Sequence, residues 1–156
     1  MKKGFKSILF FGIIFTIIDQ VVKIVLSDKM IINQSLVVIK DFFSITLVHN
    51  TGAAFSILTG SRILLILIGV AALIGLILYI KKLEVIDDID IFVYSLLIGG
   101  IVGNLIDRIV HGYVIDYLSF NFGNYFFPIF NFADICIVVA ILIIILRMIK
   151  EDLWKS

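Results

Sequence analysis

Cysteine, histidine and charged residues are all scarce in this sequence of 156 residues, and each scarcity excludes a class of protein. Cys136 is the single cysteine, so no disulfide can form within the chain and no cysteine-rich metal cluster can be assembled. His49 and His111 do not belong to an H-E-x-x-H motif, which argues against a zinc protease. A G-x-S-x-G motif, the mark of a serine nucleophile, is also lacking. The net charge of +1 provides no basic stripe for a nucleic-acid partner.

The sequence is rich in apolar residues. Hydrophobic residues make up 62% of the chain, charged residues 16%, and the mean hydropathy is +1.19. A water-soluble globular protein has about 45–50% apolar and about 25% charged residues. The composition therefore predicts an integral membrane protein.

Four apolar stretches are long enough to cross a bilayer, which takes about 20 residues. They cover residues 7–26, 62–80, 90–108 and 131–149, and the clearest is the uncharged run from Ile63 to Ile80. The lysine-rich start is also typical of a signal peptide, but no A-x-A site follows it, so we expect an uncleaved first helix. The predicted fold is mainly α, a single membrane-embedded domain over residues 1–156 with four transmembrane helices.

Lysine and arginine are distributed unevenly between the two ends of these helices. Eight lie on the side of the chain termini and of the 81–90 loop, and four lie on the other side. Because cytoplasmic loops carry the excess of positive charge, we expect cytoplasmic termini and extracytoplasmic segments at 27–61 and 109–130. The basic residues of the first side are Lys2, Lys3, Lys6, Lys81, Lys82, Arg147, Lys150 and Lys155, and those of the second are Lys29, Lys40, Arg62 and Arg108.

The extracytoplasmic segments carry patterns of their own. Two β-branched and aromatic runs, Leu36 to Ile39 and Phe42 to Val48, are separated by Lys40-Asp41, which predicts a short hairpin or small sheet on the membrane surface. We expect the surface segment around 33–61 to cover the site formed by the polar residues that are described next. From Tyr113 to Phe127 the chain is aromatic-rich, with turn signals at Asn121 and at Gly123-Asn124, and suits the membrane interface.

Charged residues within an apolar span are the first candidates for function. Asp19 and Lys23 would together cost about 5–7 kcal/mol if they faced lipid unpaired. Being four apart, they share one helix face and can pair. Both a structural ion pair and a direct role near substrate are compatible with this spacing.

The region from Gly103 to Asp134 gathers further polar residues. Asn104 and Arg108 are four apart at the end of the third span, and Asn131 and Asp134 are three apart at the start of the fourth. The interval between Asp116 and Asp134 contains turn residues, so the chain can leave one helix and re-enter the next. Both carboxylates then reach a similar depth near the outer leaflet.

Two neighbouring carboxylates can carry out hydrolysis. At about 4 Å and an effective dielectric of about 20, their repulsion is about 4 kcal/mol, or roughly three pK units. One aspartate then stays ionised as the base while the other stays protonated as the acid. Spacing alone leaves an alternative open, in which Asp116 is a loop residue and Asp134 is a helix-start carboxylate. Arg108 has its own alternative as an interfacial side chain that extends to water.

Two other functions remain open from the residues alone. A proton-coupled transporter is also built from short helices with a buried acid such as Asp19, although a carrier needs an acid accessible from both faces. A non-catalytic scaffold explains the hydrophobicity but not the clustered polar residues. We interpret His49 as an interfacial hydrogen-bonding residue, and Gly99-x-x-x-Gly103 as a helix-packing motif that serves either within the chain or in a dimer.

Taken together, the motifs resemble those of one known family. Over essentially its whole length the sequence resembles the lipoprotein signal peptidases (signal peptidase II), which are bacterial aspartyl membrane proteases. The stretches that carry the resemblance are Asp19-Gln20-Val21-Val22-Lys23, His49-Asn50-Thr51-Gly52-Ala53-Ala54-Phe55-Ser56, Gly103-Asn104-Leu105-Ile106-Asp107-Arg108 with 112–116, and Phe130-Asn131-Phe132-Ala133-Asp134.

This resemblance implies a reaction and a site. Family members remove the signal peptide of diacylglyceryl-modified prolipoproteins by cutting before the lipidated cysteine, in the bacterial cytoplasmic membrane. The resemblance implies no metal or organic cofactor, and it implies sensitivity to globomycin and myxovirescin. We expect a monomer among membrane lipids, because nothing in the sequence requires more than one chain. The residues it assigns are the catalytic pair Asp116 and Asp134, the site-lining Asn50, Gly52, Asn104, Arg108 and Asn131, and the supporting Asp19 and Lys23.

Overall fold

The computed structural model describes residues 3–53, 57–123 and 125–153. Several sequence predictions lie outside these residues: the end of the His49 motif (Ala54, Phe55 and Ser56), the turn residue Asn124, and the basic residues Lys2 and Lys155.

Four helices form the body of the described chain. They are α1 (Lys3–Lys29), α2 (Arg62–Lys82), α3 (Asp88–Val110) and α4 (Phe132–Leu153). All four are long and apolar enough to cross a membrane, and at 1.5 Å per residue the shortest, with 21 residues, is about 31 Å long. The predicted fold class, four transmembrane helices with a small sheet, is confirmed.

Helix α3 is the centre of the bundle. It runs parallel to α1, since Ser95 donates to Ile8 O near one end and Lys23 pairs with Asp107 near the other. Both α2 and α4 run antiparallel to it: Arg62 at the start of α2 contacts the end of α3, and Arg147 near the end of α4 contacts its start. One end of the bundle is therefore formed by the ends of α1 and α3 together with the starts of α2 and α4.

Small residues let α1 and α3 approach closely. A Cβ built at Gly99 would lie 2.5 Å from Phe15 Cβ and 3.1 Å from Gly12 O, and one at Gly103 would lie 2.5 Å from Asp19 Oδ2. The Gly99-x-x-x-Gly103 motif therefore packs within the chain, against α1.

The strands form one antiparallel sheet in the order β1-β2-β3-β4. The predicted hairpin is confirmed as β1 (Ser35–Ile39) and β2 (Phe43–Asn50). Its turn contains Asp41 at φ 59°, a left-handed conformation that aspartate tolerates better than most residues.

The third strand, β3 (Val114–Phe122), occupies the segment for which the sequence predicted only turns and an aromatic interface. The predicted turn lies at its end, where Gly123 has φ 72° and leads into β4 (Tyr125–Phe126). Strand β3 pairs with β2 from Phe43↔Phe120 to Asn50↔Val114, with an irregularity between Ile45 and Val48. This pairing joins segments far apart in the chain, which a local sequence pattern does not reveal.

Candidate active site

The two candidate catalytic carboxyls come from different elements. Asp116 lies on β3 with a relative exposure of 2%, and Asp134 lies in the first turn of α4. Asn131, just before α4, accepts from Asp134 N at 3.0 Å, while Asp134 Oδ2 accepts from Asn131 N at 3.2 Å. This reciprocal pair is the geometry of a capping box, and it fixes the Asp134 side chain at the helix start.

One asparagine joins the two acids. The side-chain amide of Asn131 donates to Asp116 Oδ1 at 2.7 Å, while its backbone N–H donates to Asp134. The same amide nitrogen donates to Asn104 Oδ1 at 3.1 Å, and Asn104 in turn donates to Asp134 Oδ1 at 2.8 Å. Asn50 donates to the remaining oxygen of Asp116 at 2.9 Å. Each of the four carboxyl oxygens therefore accepts one N–H group.

The environment of Asp116 favours its protonated form. Burial, followed by the charge of Asp134, raises the pKa of Asp116 to about 7, although the hydrogen bonds from Asn50 and Asn131 act in the opposite direction. Burial disfavours an ionised carboxyl, and so does a nearby like charge. Asp116 can therefore carry a proton near neutral pH.

Arg108 ties a loop to the site. Its guanidinium donates to Gly52 O at 3.0 Å and to its own helix at Asn104 O at 3.4 Å. Gly52 N donates to Asn50 Oδ1 at 2.9 Å, which turns the Asn50 amide nitrogen toward Asp116. Arg108 is thus directed at the 50–52 backbone, in contrast to the alternative of a side chain extended to water.

Asp19 and Lys23 form the ion pair that their spacing suggested, and a third residue joins them. Lys23 Nζ lies 2.7 Å from Asp19 Oδ2 and 2.9 Å from Asp107 Oδ2, and all three side chains have at most 1% exposure. Asp107 did not stand out in the sequence as a site residue. The available signal was its position, because it is an ionisable residue within a predicted span and one turn after Asn104.

Tyr117 is another residue that sequence reasoning missed. It follows Asp116 on β3, and its buried hydroxyl accepts a hydrogen bond from Phe132 N at 3.2 Å. Burial raises the pKa of Tyr117 above its ordinary value, so the hydroxyl stays neutral. The hydroxyl therefore joins the strand of one acid to the helix of the other.

His49 lies beside this cluster, where its ring stacks on Tyr113 at 3.8 Å between centroids. Burial, followed by the charge of His111, lowers the pKa of His49, so the ring is neutral at pH 7. Its observed partner is thus an aromatic ring, whereas the sequence interpretation was an interfacial hydrogen bond.

All nine residues singled out by the resemblance lie in one connected cluster. Asn50, Asn104 and Asn131 contact the acids directly, Gly52 and Arg108 hold the loop beside them, and Asp19 and Lys23 lie behind Asn104, to which Lys23 donates at 3.1 Å. Such an arrangement joins the two carboxyl groups through shared hydrogen-bond donors.

Comparisons with known proteins point to one family. The family model described as signal peptidase (SPase) II matches residues 11–150. The lipoprotein signal peptidase of Symbiobacterium thermophilum is 36% identical over 141 residues, which cover 90% of this chain and 93% of the relative. That of Halothermothrix orenii is 40% identical over 140 residues, with 90% and 93% covered.

A solved structure shares the fold. It is a bacterial membrane enzyme determined by the in meso method at 2.3 Å resolution, with a TM-score of 0.89 and 33% identity over 97% of this chain and 92% of the other. A family model that matches most of the chain, together with relatives of this similarity, leaves the transporter and the scaffold without support. The chain belongs to the signal peptidase II family, the aspartic peptidases known as lipoprotein signal peptidases.

Proposed function

We propose that this protein cleaves diacylglyceryl-modified bacterial prolipoproteins on the N-terminal side of the lipidated cysteine, with Asp116 and Asp134 as the catalytic pair. The observation that carries the proposal is the double contact of Asn131, which donates its side chain to Asp116 and its backbone N–H to Asp134. A residue that touches both acids holds them in one site, as a shared water requires.

The two acids take different roles. Asp116 is the more buried of the two, and burial raises its pKa to about 7, so it is the acid that takes up a proton as the pH falls to neutrality. Asp134 lies at a helix N-terminus, where the dipole favours a negative charge. Asp134 therefore accepts a proton from the attacking water, and Asp116 donates one to the carbonyl oxygen of the scissile bond. As the C–N bond of the resulting gem-diol breaks, Asp134 passes its proton to the leaving amine, and a gem-diol hydroxyl returns a proton to Asp116, which restores the starting pair.

The site-lining residues hold the substrate backbone or the catalytic pair itself. The side-chain amides of Asn50, Asn104 and Asn131 donate hydrogen bonds to the two carboxyls. Arg108 binds the 50–52 backbone and keeps it close to the carboxyls. The segment around 33–61 covers the site and limits the access of water. The proposed cover is supported by the pairing of β2, which belongs to this segment, with β3, the strand that carries Asp116.

The protein lies in the bacterial cytoplasmic membrane with both termini in the cytoplasm and the site near the extracytoplasmic face. Lys6, Lys81, Lys82 and Lys150 lie at the bundle end opposite the acids, and the positive-inside rule places that end in the cytoplasm. The scissile bond of a lipidated precursor lies near the outer surface, where the helix ends meet. No partner beyond substrate and membrane lipid is needed, so a monomer suffices.

The test is incubation of the purified protein with a diacylglyceryl-modified prolipoprotein, with the same precursor lacking the lipid as matched control. We expect mass spectrometry to show a product that starts at the lipidated cysteine, little cleavage of the unlipidated precursor, and inhibition by globomycin and by myxovirescin. Equal rates on the two precursors would point to a different peptidase.

A further inference from the structure

Each candidate catalytic aspartate is preceded by a residue whose backbone N–H is held by a buried carboxylate. Ala133 N, just before Asp134, donates to Asp19 Oδ1 at 3.0 Å. Ile115 N, just before Asp116, donates to Asp107 Oδ2 at 3.1 Å. Two separate elements are thus anchored at equivalent points, one residue from the acid each carries.

Lys23 joins these two anchors. Its ammonium lies 2.7 Å from Asp19 Oδ2 and 2.9 Å from Asp107 Oδ2, so one cation draws both carboxylates together. Gln20 strengthens the link by donating to Asp107 Oδ1 at 3.0 Å and to Asp19 Oδ2 at 3.3 Å. We refer to Asp19, Lys23 and Asp107 as the ion clamp.

We propose that the ion clamp is a positioning device that sets the separation and orientation of Asp116 and Asp134 without touching substrate. The inference rests on the proposed function, since it assumes that these two acids are the catalytic pair. Consecutive Cα atoms are 3.80 Å apart, so a displacement at Ile115 N or Ala133 N passes almost undiminished to the acid that follows.

Lys23 also determines which way the amides face. Its third contact is Asn104 Oδ1, at 3.1 Å. Because an ammonium can only donate, Asn104 must present its oxygen to Lys23 and its nitrogen to Asp134. The same Asn104 oxygen also accepts a hydrogen bond from Asn131 Nδ2, and Asn131 Nδ2 donates to Asp116 as well. The clamp therefore orients both amides as donors toward the acids.

Holding the helices together does not by itself require these charges. Buried ion pairs can often be replaced by apolar residues with little loss of stability, and α1 and α3 already pack closely at Gly12 and Gly99. What apolar residues could not do is accept the two backbone N–H groups beside the acids.

The test compares kcat and KM on the lipidated precursor for clamp variants and for a remote ion-pair variant. Asp107→Asn and Asp19→Asn keep the size of the side chain, and each leaves Lys23 paired with the one remaining carboxylate. The new amide, however, has a single acceptor oxygen, whereas the carboxylate that it replaces accepts hydrogen bonds with both of its oxygens. We expect each to lower kcat by roughly 10- to 100-fold, the scale of a displacement of about 1 Å, with KM changed less than about twofold. The triple variant Asp19→Asn/Lys23→Met/Asp107→Asn leaves no unpaired clamp charge and should show the same loss.

The matched control is Arg147→Gln. Arg147 also links two helices through two acids, Asp87 and Asp90, but at the opposite end of the bundle. We expect it to lower thermal stability and to leave kcat and KM unchanged. For every variant, kcat and KM are measured on the monodisperse fraction from size-exclusion chromatography, so that only folded protein is compared.

Clamp variants that keep the wild-type kcat, or lose no more of it than Arg147→Gln, would overturn the inference. So would a loss that appears only in KM. Failure of the proposed function is distinct, because the wild-type protein itself would then not cleave the lipidated precursor.

Discussion

Gly103 lies directly against the Asp19 carboxylate: a Cβ at Gly103 would come within 2.5 Å of Asp19 Oδ2. A methyl group there must displace the carboxylate that binds both Lys23 and Ala133 N. This contact explains why the residue before Asn104 has no side chain.

Gly103→Ala should therefore damage both stability and activity. We expect a loss of about 1–3 kcal/mol, typical of overpacking, together with a lower kcat because Ala133 N loses its acceptor. The measurements are the thermal midpoint in detergent and turnover of the lipidated precursor. The control is Gly75→Ala, since no described heavy atom lies within 4 Å of a Cβ at Gly75. Equal behaviour of the two variants would contradict the contact.

Tyr117→Phe removes a single hydroxyl between the two elements that carry the acids. Phe132 N then loses its acceptor, which should cost about 1 kcal/mol and lower the thermal midpoint by several degrees. The apolar ring remains, so the core stays filled. Tyr125→Phe is the control, because that ring is exposed. An unchanged midpoint for Tyr117→Phe would show that the hydrogen bond contributes nothing.

Activity should fall on the alkaline side of neutrality. The pKa of Asp116 is raised to about 7, and the proposed acid works only while it is protonated. As the pH rises through that value the proton is lost, so kcat should decline above about pH 7 and recover when the pH is lowered again. A profile of kcat from pH 5 to pH 9 at saturating substrate measures this. A kcat that stays level or rises up to pH 9 would contradict the assignment.

The helices could be predicted because hydropathy and length leave few alternatives for an apolar run such as 63–80. Strand β3 could not, because its partner β2 lies more than sixty residues earlier and its aromatic residues also suit a membrane interface. Only the folded chain shows that Asp116 is part of a sheet.

The sequence predicted some residues of the candidate site and missed others. Spacing left Asp116 and Asp134 as either a pair or two unrelated residues, and the family resemblance selected the pair. Asp107 was missed because its importance depends on Lys23, a neighbour on another helix 84 positions away. Helix neighbours are set by tertiary packing, which spacing along one helix does not encode.

The most direct measurement is turnover of the lipidated precursor by Asp116→Asn and Asp134→Asn, with exposed Asp28→Asn as control. We expect each dyad variant to remain folded and to lose activity by about 10²–10⁴-fold, the contribution of a general acid or base, while the control keeps the wild-type rate. If either dyad variant turned over substrate at the wild-type rate, Asp116 and Asp134 would not be the catalytic pair.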